Sequence, residues 1–330
     1  KVLVTGASGY IALHCLSELL NSGYKVKGSL RDLNRQNEVI NSLDKDLSKE
    51  NLEFCNLDLL SDAGWDEASS DCDYLLHIAS PFIIQEPKEE KILIEPALEG
   101  TLRALRAAKK NGIKKVVLTS SMASIAYGHS KQIVNNKDWT DINSKVGAYI
   151  KSKTLAEKAA WDFVRNNSDN SLVLTTIHPG MVFGPVLSDD IEGASPSLIN
   201  NLINGKFPAI PDLYFTVVDV RDVAKLHVKS LKNQGSNNKR IIATSENGIS
   251  FLEISKLLRD LGYSKSPINL IPNKVINSLA PFNKEMRSTA NMIKRGCYGV
   301  DISETKSLYN WEPIPLRKTL IDMTESFKNA

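Results

Sequence analysis

The chain is poor in the features that would place it in a special structural class. Its 330 residues include four cysteines, Cys15, Cys55, Cys72 and Cys297, with no C-x-x-C pair among them. At least two of them fall in predicted core elements, so they read as structural thiols of a reducing compartment rather than disulfides or metal ligands, and no metal site is expected. No stretch approaches the ~20 apolar residues of a membrane span. No charged-then-apolar leader precedes the first strand, and since Lys1 already falls inside it, at least one residue is expected ahead of the numbered chain. Neither sign of charge dominates: 41 Lys and Arg stand against 38 Asp and Glu, for a net charge of +3 without a basic cluster. A nucleic-acid partner is therefore not expected, and neither is a membrane partner. Internal repeats and low-complexity tracts are also missing. What remains, 42% hydrophobic and 24% charged residues, is the composition of an ordinary cytoplasmic globular protein. The length suits one large domain with an appended lobe, or two domains.

The most informative stretch lies at the start. Lys1 to Val4 reads as a strand covered on both faces, and Ile11, Cys15, Leu16, Leu19 and Leu20 follow at helical spacing until Gly23. Between strand and helix, Gly6 permits a tight turn, and Gly9 lets the backbone approach a pyrophosphate seated on the helix N-terminus. The position of this G-x-x-G-x-x-A string, ending at Ala12, points to dinucleotide binding.

Tyr24 to Leu30 supplies a second strand, giving a right-handed parallel βαβ unit. Arg31 and Arg35 follow with the spacing of a clamp for a 2′-phosphate, which favours NADPH, whereas Asp32 is the candidate for a ribose contact and NADH. Asn34 to Glu50 is patterned as an amphipathic crossover helix, and Leu52 to Asp58 as the third strand. Asp58 suits either an adenine amino group or a turn or cap. Asp73 to Ser80 forms the fourth strand, ending in Ala79 and Ser80 beside the cofactor, with His77 read as a packed core histidine. A long helix over Ile92 to Asn111 precedes a fifth strand, Lys115 to Thr119, which empties into Ser120 and Ser121. Residues 129 to 146 read as a surface loop, and Ser171 to Ile177 as the sixth strand.

The helix from about Gly147 to Arg165 breaks the patterning rules. Tyr149, Lys153, Ala156 and Ala160 share one stripe, so two polar side chains occupy the face that should be buried. An isolated Tyr and Lys at this spacing are commonly an amphipathic core residue and a snorkelling amine. Following Ser121 at a strand end inside a nucleotide-binding array, they read instead as catalytic groups.

With Thr5 to Ala12, Thr119-Ser120-Ser121 and Tyr149-Ile150-Lys151-Ser152-Lys153 assembled, the chain resembles an extended short-chain dehydrogenase/reductase. Within that superfamily it is most similar to the dihydroflavonol-4-reductase-like branch, which includes fungal methylglyoxal reductases and related carbonyl reductases. Supporting strings are Leu76 to Phe82, Ala156 to Trp161, Val182 to Pro185 and Asp219 to Ala224. The resemblance implies an α/β fold, a doubly wound, mostly parallel Rossmann sheet with a smaller, discontinuous substrate lobe. It implies catalysis by Ser121, Tyr149 and Lys153. It places Gly6, Ser8, Gly9, Tyr10, Ile11, Arg31, Arg35, Asp58, Leu59, Ala79, Ser80, Tyr149, Lys153, Pro179 and Val182 against NADP. Phe82, Met122, Met181 and Phe215 are expected to line the substrate pocket. Ala12 replaces the commoner third glycine, and His178 stands where many relatives carry asparagine.

The resulting division is 1–178 with 212–245 for the NADP-binding domain and 179–211 with 246–330 for the substrate lobe. The expected activity is NADPH-dependent reduction of a small aldehyde or ketone by a monomer or homodimer, with Tyr149 as general acid. Two alternatives stand beside it: an NAD-dependent nucleotide-sugar epimerase or dehydratase, for which Arg287 and Arg295 are the available phosphate ligands, and a non-catalytic NADP-sensing protein.

Overall fold

Alternation along the first strand shows how the fold is layered: Val2 and Val4 pack into one core and Leu3 into another, all fully buried. A strand covered on both faces needs helices on both, and a computed structural model supplies them. It describes residues 1–81, 86–167, 172–188 and 194–328. In chain order the strands are β1 (Val2–Val4), β2 (Val26–Leu30), β3 (Leu52–Asn56), β4 (Tyr74–His77), β5 (Lys115–Thr119), β6 (Ile133–Val134), β7 (Val173–Pro179), β8 (Met181–Phe183), β9 (Tyr214–Phe215), β10 (Val217–Asp219), β11 (Arg240–Ala243), β12 (Ile249–Ser250) and β13 (Gly299–Val300). The helices are α1 (Tyr10–Asn21), α2 (Gln36–Ser42), α3 (Trp65–Ser69), α4 (Lys91–Lys110), α5 (Ala148–Asn166), α6 (Ala194–Ile203), α7 (Val220–Lys232), α8 (Phe251–Asp260), α9 (Asn273–Leu279), α10 (Lys284–Arg295), α11 (Ser303–Tyr309) and α12 (Leu316–Ser326).

Seven strands form one parallel sheet in the order β11-β7-β5-β4-β1-β2-β3. The winding reverses between β1 and β4, so the segments leaving those two strands diverge and open a crevice at their carboxyl ends. One face of the sheet is covered by α1 and α7 through Leu13, Leu16, Val223 and Leu226. The other is covered by α3, α4 and α5 through Trp65, Leu105, Ala108 and Ala160. Full burial of each large aliphatic side chain contributes roughly 1.5–3 kcal/mol relative to exposure. A third core, built on Phe183, Ile199, Phe215, Phe251, Leu258 and Leu320, joins β8 and β9 to α6, α8 and α12 beyond the carboxyl end of the sheet. Ser250 and Glu253 start α8 with a reciprocal capping box.

Three details depart from the sequence reading. The crossover expected over 34–50 is α-helical only in α2, flanked by short 3-10 turns at Leu33–Arg35 and Lys49–Asn51, because Leu47 is the one apolar residue in the Asp44 to Glu50 stretch. The loop expected over 129–146 contains β6, which pairs with β13, and its Val134, Asp138 and Thr140 are buried. Residues assigned to the smaller lobe also return to the main one: Tyr298, Val300, Ile302, Tyr309 and Trp311 pack into the core under α1 and α7. Among the described residues, no helix is long and apolar enough to cross a membrane.

Candidate active site

The turn after β1 is shaped by backbone crowding. Gly6 has φ +69°, and a Cβ there would stand 3.1 Å from the Ala79 Cβ. Gly28 in β2 is close to the turn from below, since a Cβ on it would stand 2.9 Å from the Ala7 Cβ. Ser29 Oγ accepts from Gly6 N at 3.1 Å, and Thr5 Oγ1 accepts from Ile78 N and Ala79 N, each at 3.0 Å. The turn and the segment after β4 are thus fixed together. Gly9 precedes α1 without offering a capping side chain, which leaves the first-turn N–H groups facing the crevice. Such a cradle fits a dinucleotide pyrophosphate.

A cavity of about 1360 Å³ runs along this crevice. It exceeds the ~300–1,000 Å³ of an ordinary small-ligand pocket, with room for a dinucleotide and a second small molecule. Gly6, Ser8, Gly9, Tyr10, Ile11, Ala12, Arg31, Arg35, Asp58, Leu59, Ala79, Ser80, Pro179 and Val182 all line it. Ser121, Tyr149, Lys153, Met122, Met181 and Phe215 line it as well, so one space collects every residue singled out for the site except Phe82, which lies outside the described residues. Asp32, the rival to the two arginines, also borders the cavity, but its carboxylate accepts from Asn34 N at 2.9 Å and caps a 3-10 turn. Asp58 serves its own turn in the same way, accepting from Leu60 N at 2.8 Å. His77 is a core histidine: Thr5 Oγ1 is 3.0 Å from its Nδ1, and burial with the nearby Lys153 charge lowers it to about 3.

At the other end, β5 leads into a 3-10 turn at Met122–Ser124, with Ser121 as its cap. Ser121 Oγ accepts from Ala123 N at 3.1 Å, which leaves its own proton to be donated on the cavity side, toward Tyr149. Tyr149 and Lys153 project from the first turns of α5. Burial raises the Tyr149 phenol from its ordinary value near 10, while a hydrogen bond with the Ser121 side chain acts in the opposite direction. Burial brings Lys153 down to about 8 against the opposing charge of Glu157. The ammonium is 3.4 Å from the Thr119 carbonyl oxygen.

Sequence reading missed what stands behind these groups. Glu157, on the same buried stripe, is 1% exposed and receives Arg240 Nε at 2.7 Å, Ser120 Oγ at 2.8 Å and Ser124 Oγ at 2.5 Å. Its carboxylate is held well below the usual range: burial opposes this, and His178 and Arg240 outweigh it. Ser29 and Gly28, which brace the turn, and Tyr127, which lines the cavity, were missed as well; a polar residue recurring at i+8 from Tyr149 was the available signal for Glu157 alone.

Residues 2–243 match the NAD dependent epimerase/dehydratase family. The chain belongs to this family. Among its relatives within the extended short-chain dehydrogenases/reductases, a cinnamoyl-CoA reductase of Medicago truncatula is 38% identical over 270 residues, 79% of this chain and 80% of that one. A putative NADPH-dependent methylglyoxal reductase of Candida albicans is 34% identical over 284 residues, 78% of this chain and 82% of that one. The crystal structure of Gre2 from Candida albicans in complex with NADPH matches with a TM-score of 0.80 at 28% identity, covering 100% of this chain and 98% of that one.

Proposed function

We propose that the chain is an NADPH-dependent oxidoreductase that reduces an uncharged aldehyde or ketone in the space between Tyr149 and the apolar wall of Met122, Met181 and Phe215. The reading rests on one observation: Ser121, Tyr149 and Lys153 line the same cavity as the glycine turn. When bound, NADPH supplies the hydride. Ser121 and Tyr149 hold the carbonyl oxygen between two hydroxyl groups, and Tyr149 gives its phenolic proton as negative charge develops there. Lys153, one helical turn away, supplies the positive charge that brings the phenol towards working pH. Arg31 and Arg35 take the 2′-phosphate, Asp58 and Leu59 border the adenine, and Pro179 and Val182 border the nicotinamide.

The substrate side favours this over nucleotide-sugar chemistry. Arg295 donates to the Ala126 and Lys131 carbonyl oxygens and Arg287 to those of Ala280 and Pro281, and neither lines the cavity. A sugar diphosphate would lack its usual cationic partners at that end. The domain division read from the sequence, with the segment around α11 returned to the main core, puts the substrate between the two lobes.

The test is NADPH oxidation with panels of aldehydes, ketones and nucleotide sugars by the wild type and Tyr149→Phe. Turnover is expected with simple carbonyl compounds only, falling at least ~100-fold in the variant, while the NADPH dissociation constant changes by less than about threefold. Retention of more than a few per cent of turnover by Tyr149→Phe would overturn the assignment.

A further inference from the structure

Four chain segments converge on the Glu157 side chain: the turn after β5, helix α5, β7 and β11. Besides the partners already described, Glu157 receives Trp161 Nε1 at 3.1 Å, Thr176 Oγ1 at 3.3 Å and Arg240 Nη2 at 3.2 Å. Arg240 is held in turn by donating to the Asn136 oxygen at 2.9 Å and the Asp138 oxygen at 2.5 Å, with its guanidinium 3.8 Å from the Trp139 ring centroid.

The network reaches Ser121 through its backbone. Ser124 N donates to the Ser121 carbonyl oxygen at 3.0 Å, and Ser124 Oγ, whose single proton goes to either Glu157 or this oxygen, stands 2.8 Å from it. His178 places Nδ1 3.3 Å from that oxygen and Nε2 2.8 Å from Thr176 Oγ1. A carbonyl only accepts, so Nδ1 carries a proton toward Ser121, while Nε2 lies 2.8 Å from Thr176 Oγ1 and 3.2 Å from the Glu157 carboxylate. Burial lowers the affinity of the ring for a second proton, and the neighbouring Glu157 carboxylate acts in the opposite direction. One carboxylate therefore anchors the serine turn on one side and lies one helical turn beyond Lys153 on the other.

We propose that Glu157, with Ser124 and His178, is the positioning centre of this site: it fixes the Ser121 backbone and provides the counter-charge that keeps Lys153 an ammonium. The proposal rests on the carbonyl-reductase reading above. Glu157 does not line the large cavity and acts through Ser121 and Lys153. The titratable groups facing Lys153 are Glu157 and Tyr149 on its own helix and His77 on β4; from α4 the nearby wall is Thr101, which does not titrate. Behind Glu157 stand His178 on β7 and Arg240 on β11.

The experiment compares Glu157→Gln and Ser124→Ala with wild type and Tyr149→Phe, measuring the kcat pH profile, the NADPH dissociation constant and thermal melting. Glu157→Gln is expected to lower kcat at least about tenfold through misplacement of Ser121. It should also move the alkaline limb of the profile down by about one pH unit, because Lys153 loses its counter-charge. Ser124→Ala keeps the charge, so it should lower kcat with the alkaline limb unmoved. NADPH affinity should stay within about threefold in both, since neither side chain lines the phosphate cradle. A folded Glu157→Gln with wild-type kcat, or with a uniform loss and an unshifted profile, overturns the proposal. Should Glu157→Gln fail to fold, Ser124→Ala decides: wild-type kcat there overturns it equally. Full activity in Tyr149→Phe would instead defeat the underlying reading, so the two failures are distinct.

Discussion

Arg35 is folded back onto Glu38, with Nη2 2.7 Å from Oε1 and Nε 2.9 Å from Oε2. Both side chains are about two-fifths exposed, at 40% and 41%, so this pair can be given up to a better partner at little loss. Arg31, in the bend after β2 at the same cavity wall, makes no such bidentate pair among the described residues. On the proposed reading, the first charge to meet a 2′-phosphate is therefore Arg31.

Arg31→Ala should raise KM for NADPH by about 10- to 100-fold, the equivalent of one charge-assisted contact of ~1.5–3 kcal/mol, while leaving KM for NADH nearly unchanged. Glu38→Gln should lower KM for NADPH about twofold by releasing Arg35. Parallel titrations with the two nucleotides check both. Equal effects on NADPH and NADH would remove the arginines from any role in selectivity.

On the proposed mechanism, Lys153 gives the reaction its alkaline limit. Burial brings the group to about 8, so the ammonium that assists Tyr149 is present below that pH and lost as pH rises through it. The kcat profile should fall with a midpoint near that value, and Lys153→Met should lower kcat at least ~100-fold across the range. A flat profile to about pH 10, the region of a free tyrosine, would show that Lys153 does not govern the step.

How far the site could be read from sequence depended on spacing. Tyr149 and Lys153 announced themselves because polar residues at i and i+4 occupied a buried stripe. Glu157 continues that row, yet its partners Ser124, His178 and Arg240 come from distant parts of the chain, and only the parallel pairing of β5, β7 and β11 brings them together. The glycine turn was legible for the same local reason, being a strand, a turn and a helix in sequence. The return of Tyr309 and Trp311 to the main core was not, since short helices after a lobe boundary carry no mark of the face they will cover.

Gly180 follows β7 where the chain passes into β8. A Cβ there would run into the Thr216 carbonyl oxygen and the Thr244 hydroxyl, and the carbonyl belongs to backbone that already accepts from Met181 N at 2.7 Å. Because that backbone cannot step aside, Gly180→Ala should destabilise the protein by about 3 kcal/mol and distort the Pro179 to Val182 wall. Urea unfolding and NADPH titration check this. A variant as stable as wild type, with unaltered binding, would show the segment to be more yielding than its contacts indicate.

Three histidines outside the chemistry set an acid limit to stability. His14 and His227 are lowered to about 4 and His77 to about 3, in each case chiefly by burial. Their partners suit neutral rings: His14 Nε2 is 2.8 Å from the Pro185 oxygen, and His227 lies between the Val223 oxygen at 2.8 Å and Thr119 Oγ1 at 2.7 Å. In the unfolded chain the same residues take up protons near pH 6.5. Their folded values being depressed, the unfolded state binds more protons as pH falls below that point, and stability drops with it. Each contributes a slope of about 1.4 kcal/mol per pH unit, so the three together approach ~4 kcal/mol per unit between about pH 6 and pH 4. Above about pH 7 the histidine contribution is constant. Urea midpoints taken at half-unit steps across this window should fall steeply with acid, and His227→Gln should flatten the slope by roughly a third. A midpoint that does not move between neutral pH and about pH 5 would mean that these rings accept protons within the folded protein after all.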